Sequence, residues 1–297
     1  MPFNWRKYVP FIVKKINKRL KKRLFYVQMK HRIKNGRIWK ADDIIIQLQQ
    51  AKISKGDHLM VHASMSKIGA LEHGPTTVIQ SLMHVVGPEG IILMPTSPIN
   101  GLQYDYVQKK PTFDVAHTAS AMGAISEAFR KFPDVQRSLH PTESVAAWGQ
   151  MSNDYIMDHL TQNTPYHIDS PYGKLIRNKG KILYIGVTLD NAGTHLHTLE
   201  DALDVGLAVY TQEVFTLEVI DKNRHKIQVK TKVHNPTYSK KRKCDELLPL
   251  FLSKGVYQEV KIGNAKTLIF DAELMFNVMI DAFLTRGVTM YNPHGIK

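Results

Sequence analysis

Ile182-Leu-Tyr-Ile-Gly-Val187 is followed, six residues later, by Thr194-His-Leu-His-Thr-Leu-Glu-Asp201. An apolar run this short, bounded by glycine and then by polar residues, reads as a strand buried on both faces. The cluster just beyond it holds two histidines, two carboxylates and two hydroxyls. In open α/β sheets, ligands and chemistry collect outside the carboxyl ends of strands. Upstream, Arg137-Ser-Leu-His-Pro-Thr-Glu-Ser144 precedes an apolar run to Trp148, and Thr164-Pro-Tyr-His-Ile-Asp-Ser-Pro-Tyr-Gly-Lys-Leu175 precedes the strand itself. Four histidines (140, 167, 195 and 197) thus fall at the ends of apolar elements, and Arg137 to Asp204 is the candidate site region.

The rest of the chain repeats this pattern. Helical spacing is expected over 40–51, 75–86, 118–132, 245–253 and 271–286. Strands are expected at 58–64, 91–95, 182–187, 257–262 and 266–270. Alternation over 213–220 and 226–233, with Asp221-Lys-Asn-Arg224 between, predicts an antiparallel hairpin. The polar stretch 97–117 is long enough to serve as a functional loop. The expected fold is α/β, a single large domain over 41–290 with a central mixed sheet flanked by helices.

Charge adds an appendage. The formal net charge is +14, yet residues 1–40 hold 14 Lys and Arg and no acid, so the 26 basic residues that remain equal the 26 acids. Ile12, Ile16, Leu20, Leu24 and Val27 recur at helical spacing among those cations, which predicts a basic amphipathic helix in residues 1–40. Such a helix suits an anionic membrane surface, or it packs on the body or on a second subunit. No recognition motif accompanies the charge, so specific nucleic-acid binding is not expected. One cysteine, Cys244, excludes an internal disulfide framework. With no run of 18 apolar residues and no secretory leader, the expected location is cytoplasmic, peripheral to the membrane if the helix anchors it.

The ordered motifs resemble those of the aminoglycoside 3-N-acetyltransferase family. The resemblance runs from Ile53 to about Leu284. It is carried by Gly56-Asp-His-Leu-Met-Val-His-Ala-Ser-Met-Ser-Lys-Ile-Gly69, Gly90-Ile-Ile-Leu-Met-Pro-Thr96, Met122-Gly123 with Glu127, Arg137-Ser138 with His140-Pro141, Ser170-Pro-Tyr-Gly-Lys-Leu175, Thr194 to Glu200 and Ile262-Gly-Asn-Ala265. It implies an enzyme that moves an acetyl or other short acyl group from acetyl-coenzyme A to a sugar amine, without a metal. It also implies His167 as the catalytic histidine, Glu200 as the acid that orients it and Asp169 as a second carboxylate, although only two residues separate His167 from Ser170 where the family has several more.

The residue chemistry agrees with that outline. A histidine is the side chain that takes a proton near neutral pH, and a carboxylate on its far nitrogen fixes the tautomer. Thr194 is a candidate donor to the oxyanion. Ser64, Ser66, Lys67, Gly69, Met122 and Gly123 are the candidate coenzyme A residues, and His140, Ser170, Lys174 and His197 are candidates for the acceptor.

Blander readings stand beside these. His140 suits a structural hydrogen bond, Ser170-Pro171 suits turn chemistry, and Glu200 and Asp201 suit the first turn of a helix capped by Thr198. His195-x-His197 with His167 would make a three-histidine set, but no zinc motif accompanies it and no metal is expected. The expected acceptor is a nucleotide-linked amino sugar of surface-polysaccharide assembly, met by Lys109, Lys110, Lys174 and Arg177. The alternative is an aminoglycoside, and a second alternative is a non-catalytic membrane- or polyanion-binding protein.

Overall fold

The computed structural model describes residues 36–295. Residues 1–35 of the expected basic helix therefore lie outside the described residues, and the described remainder of its span is not helical, since Ile38–Trp39 form a strand. Twelve strands are described: β1 (Ile38–Trp39), β2 (His58–Ala63), β3 (Ala70–Leu71), β4 (Ile91–Pro95), β5 (Phe113–Asp114), β6 (Gln136–Arg137), β7 (Val145–Trp148), β8 (Lys181–Ile185), β9 (Phe215–Ile220), β10 (Lys226–Thr231), β11 (Tyr257–Ile262) and β12 (Ala265–Asp271).

Seven of them form the central sheet in the order β11-β12-β8-β2-β4-β7-β6. β2 runs parallel to both β4 and β8, while β7 and β12 run antiparallel at either flank, which makes the sheet mixed. Both neighbours of β2 follow it in the chain, β4 on one side and β8 on the other, so the order of strands reverses at β2. Its carboxyl end is therefore a topological switch point, where the loops after β2, β4 and β8 diverge and leave a crevice.

Period-two alternation explains why β2, β4 and β8 read as continuous apolar runs. Leu59, Val61, Ile92, Met94, Leu183 and Ile185 pack on one face with the helices Ala41–Gln50 and Pro75–Val86. Met60, Leu93, Ile182 and Tyr184 pack on the other with Tyr172, Leu175, Phe270 and Met275. Both faces are covered, so neither has a polar side to show.

A second sheet, β10-β9-β5, holds the expected hairpin and attaches it to the long loop through parallel pairing of Phe113 with Val219. The loop after β4 is less irregular than its polar sequence suggests: it also contains a helix, Gln103–Val107. The helix expected over 118–132 is shorter, Ala124–Phe129. Gly123 precedes it with φ +108°, a conformation open to glycine that breaks helical continuation. The residues before it spend their backbone groups elsewhere, Ser120 N on Glu127 Oε2 and Ala121 N on Ser97 O.

Arg137 is buried as a brace. Its guanidinium donates to the carbonyls of Thr96 and Thr118 and to the Ser144 hydroxyl, and it lies over the Phe113 ring. No described helix is long and apolar enough to cross a membrane.

Candidate active site

The crevice at the switch point opens into a cleft of about 310 Å³, whose walls come from the loops after β4 and β8 and from the segment after β10. Met122, Tyr166, Thr194, His197, His234 and Arg242 are among its lining. The chain after β8 makes one short turn at Leu189–Ala192 and a tighter one at Thr194–Leu196, then enters a helix, His197–Ala202. Three residues apart on that helix, His197 and Glu200 face each other.

His197 Nδ1 donates to Glu200 Oε2 at 2.6 Å. A carboxylate can only accept, so the proton sits on Nδ1 and Nε2 carries the lone pair. The other carboxylate oxygen, Oε1, accepts from the Tyr291 hydroxyl at 2.6 Å. His234 Nε2 lies 3.6 Å from Glu200 Oε2, and its ring centroid is 4.0 Å from that of His197. Tyr166 stacks on both imidazoles and Tyr210 on His234.

The electrostatics follow from this packing. Burial opposes the charge on Glu200, but His197 and His234 outweigh it and hold the carboxyl well below its usual range. Burial lowers the His197 pKa, with Glu200 pulling the other way, so the imidazole is neutral at pH 7. Burial takes His234 down to about 3. The result is an ionised carboxylate behind a neutral imidazole, the arrangement that readies a histidine to accept a proton. His197, Glu200 and His234 bring donor atoms within 4.8 Å of one another, a spacing a metal ion could also use. Nδ1 and Oε2 are, however, already spent on each other.

The structure places several of the expected residues apart from this pair. His167 is not paired with Glu200. Its Nδ1 accepts from the backbone of Asp169, and its ring lines a separate pocket with Ile168, Thr198 and Asp201. Asp169 pairs outward with Arg177 at 2.9 Å, and Lys174 with Asp158 at 2.6 Å, so neither cation faces the cleft. Ser170 caps the helix Pro171–Arg177 by accepting from Gly173 N. His140 is fully buried, accepts from Glu143 N and stacks on His159. The three-histidine set is not assembled, because His195 turns inward against Tyr172. Cys244, remote in sequence, does line the cleft, but burial raises its thiol to about 12 and keeps it protonated. Lys109, Lys110 and residues 172–178 are absent from the cleft wall, whereas Ser97, Ile99 and Leu102 of the long loop belong to it.

The candidate coenzyme A residues gather at the end of β2. Ser64 Oγ and Ser66 Oγ are 3.2 Å apart, and Gly123 lies beside Ala63, where an added methyl would sit 4.0 Å from the carbonyl with room to spare. Ser66 and Lys67 line a second cavity of about 400 Å³ with Arg37 and Asn264. Gly69 has φ +109°, and a side chain there would collide with Asn264. Thr194 Oγ1 lies 3.4 Å from His62 Nε2. Met122 lines the same cleft wall as Thr194 and His197. His234, Tyr291 and Arg242 carried no sequence signal, since each lies outside the motifs, and Tyr166 stood in the 164–175 stretch without being singled out.

A model of the aminoglycoside 3-N-acetyltransferase family matches residues 60–283, three quarters of the chain. The chain belongs to this family. It is accordingly an N-acyltransferase with acetyl-coenzyme A as acyl donor. Aminoglycoside N(3)-acetyltransferase IX of Micromonospora chalcea is 27% identical over 254 residues, which cover 77% of this chain and 88% of that protein. Aminoglycoside N(3)-acetyltransferase III of Pseudomonas aeruginosa is 31% identical over 170 residues, 53% of this chain and 62% of its own length. The crystal structure of aminoglycoside acetyltransferase AAC(3)-Xa superposes with a TM-score of 0.75 at 23% identity, covering 86% of this chain and 96% of that one. AAC-IIIb, solved as a binary complex with coenzyme A, gives 0.68 at 23% identity, covering 83% and 97%. These superpositions bear out the expected mixed-sheet α/β fold.

Proposed function

We propose that this member of the family acetylates the amine of an amino sugar, with His197 as general base and Glu200 as the residue that orients it. The 2.6 Å contact between His197 Nδ1 and Glu200 Oε2, at the wall of a cleft bordered by Thr194 and Met122, carries this reading. The neutral amine attacks the thioester carbonyl carbon and forms a C–N bond. His197 Nε2 takes the N–H proton, and Glu200 stabilises the resulting imidazolium. The tetrahedral oxyanion collapses, the C–S bond breaks, and the departing thiolate takes that proton to become the free thiol of coenzyme A. Thr194 is the candidate hydroxyl donor to the oxyanion.

The names of the relatives support an aminoglycoside amine as acceptor, and they give no support to the polysaccharide-precursor setting expected from the sequence. The test is thiol release from acetyl-coenzyme A in the presence of amino sugars, wild type against His197→Asn. Acceptor-dependent release that the substitution abolishes supports the reading. Equal rates in the two proteins overturn it.

A further inference from the structure

His62 is the last residue but one of β2, on the same face as Met60, and Tyr184 of β8 stands directly beside it across the sheet. The two rings stack, with centroids 5.2 Å apart and planes within 12° of parallel, which fixes the orientation of the imidazole. The ring is buried, and burial takes its pKa down to about 3, so it is neutral at pH 7. Held that low, it is a poor base and serves through its hydrogen bonds alone.

What it meets is Thr194. His62 Nε2 lies 3.4 Å from Thr194 Oγ1, and the Tyr172 hydroxyl faces the same threonine. Burial holds Tyr172 well above its ordinary pKa, so that hydroxyl keeps its hydrogen. Thr194 in turn lines the cleft. A hydroxyl has one hydrogen to give and two lone pairs to accept with. Were Thr194 to donate to His62, it would have no hydrogen for the substrate. With His62 N–H and Tyr172 O–H on its lone pairs, its own hydrogen is left for the one remaining direction.

We infer that His62 is a positioning residue for acyl transfer: in its Nε2–H form it donates to Thr194 and so aims the threonine hydroxyl at the oxyanion. This rests on Thr194 as the oxyanion donor and deepens that reading by adding the group that orients it. The 3.4 Å contact is long at rest. As charge develops on the oxyanion, the hydroxyl hydrogen is drawn toward it and the bond that Oγ1 accepts from His62 strengthens. An interaction that grows only in the transition state acts on kcat and leaves KM alone.

The experiment measures steady-state acetyl transfer on the fastest of kanamycin, gentamicin and glucosamine as acceptor. His62→Phe keeps a ring to stack on Tyr184 and loses the donor. His62→Gln places an amide N–H at about the reach of Nε2, and His62→Asn only at that of Nδ1. Phe and Asn should each lower kcat by about ten- to a hundredfold, with both KM values within about threefold, while Gln stays within about fivefold of wild type. Thr194→Val should cost about a hundredfold or more, and adding His62→Phe to it less than about threefold further. A loss below tenfold in His62→Phe, a Gln variant no faster than Asn, or losses that multiply in the double variant would overturn the inference. Thermal unfolding checks the fold of each protein, and if His62→Phe does not fold, the comparison of Gln with Asn decides. A normal His62→Phe beside a slow Thr194→Val removes His62 alone, whereas Thr194→Val at the wild-type rate removes the oxyanion donor and His62 together. Thiol release with none of the three acceptors would overturn the amino-sugar reading and this inference with it.

Discussion

Glu200 accepts from His197 at one carboxylate oxygen and from Tyr291 at the other, each at 2.6 Å. Two donors, one three residues and the other 91 residues from Glu200 in the chain, fix one carboxylate in one rotamer, and with it the tautomer of the imidazole. His197→Asn is therefore expected to lower kcat by about two to four orders of magnitude while coenzyme A binding stays near normal. His167→Asn, at the histidine first expected to be the base, should leave kcat within about tenfold. Steady-state kinetics on the two variants decide between them, and the reverse ranking would return the role to His167.

Tyr291→Phe tests the orienting network by pH. Burial holds the His197 pKa below its ordinary value, so the base is competent through neutral pH and is lost as pH falls through that lowered pKa. Removing the tyrosine donor leaves Glu200 more basic and better able to stabilise the imidazolium, which raises the His197 pKa. The acid limb of the kcat/KM profile should move to higher pH in Tyr291→Phe. A limb that stays in place, or moves to lower pH, would disconnect Tyr291 from the base.

Glu143 offers a stability test away from the proton transfer. Burial raises its carboxyl to about 7, against the help of Gln103. A folded-state pKa above the unfolded one means the stability is fully present below about 4.5 and is lost as pH rises to about 7. Glu143→Gln keeps an acceptor for Gln103 and removes the titration. Relative to wild type it should gain up to about 3 kcal/mol at pH 8 and little at pH 4, at roughly 1.4 kcal/mol per pKa unit. Urea unfolding at the two pH values measures this, and an equal difference at both would refute it.

Gly123→Ala probes the donor side. The residue has φ +108° and ψ 175°, and the nearest atom to an added methyl is 4.0 Å away, so the penalty is backbone strain rather than collision. A cost of about 1–3 kcal/mol in stability is expected. The KM for acetyl-coenzyme A should rise more than that for the acceptor. An unchanged donor KM in a strained but folded variant would take Gly123 out of the coenzyme A site.

Local patterns made much of this protein legible in sequence. The buried strands β2, β4 and β8 announce themselves as apolar runs, because residues covered on both faces admit no polar alternation. The hairpin of β9 and β10 shows the opposite pattern, with a polar turn between. The cluster from Thr194 to Glu200 was recognisable as a site since it follows a strand end. Its two key residues are i and i+3 on one helix, a spacing that sequence alone contains. The resemblance implied His167 as the base and left His197 to the acceptor, because along the chain nothing shows which histidine the Glu200 carboxylate meets. The packing of the helix His197–Ala202 against Tyr291 and His234 is what gives Glu200 to His197, and the proposed role of His197 rests on it. Asp169, expected as a second carboxylate, and Lys174 and Arg177, expected to meet the substrate, form local ion pairs that depend on how the helix Pro171–Arg177 docks. Arg242 is the converse case. In sequence it is one cation among four, and only the fold turns it from solvent into the cleft, because side-chain direction is set by long-range contacts that no local pattern records.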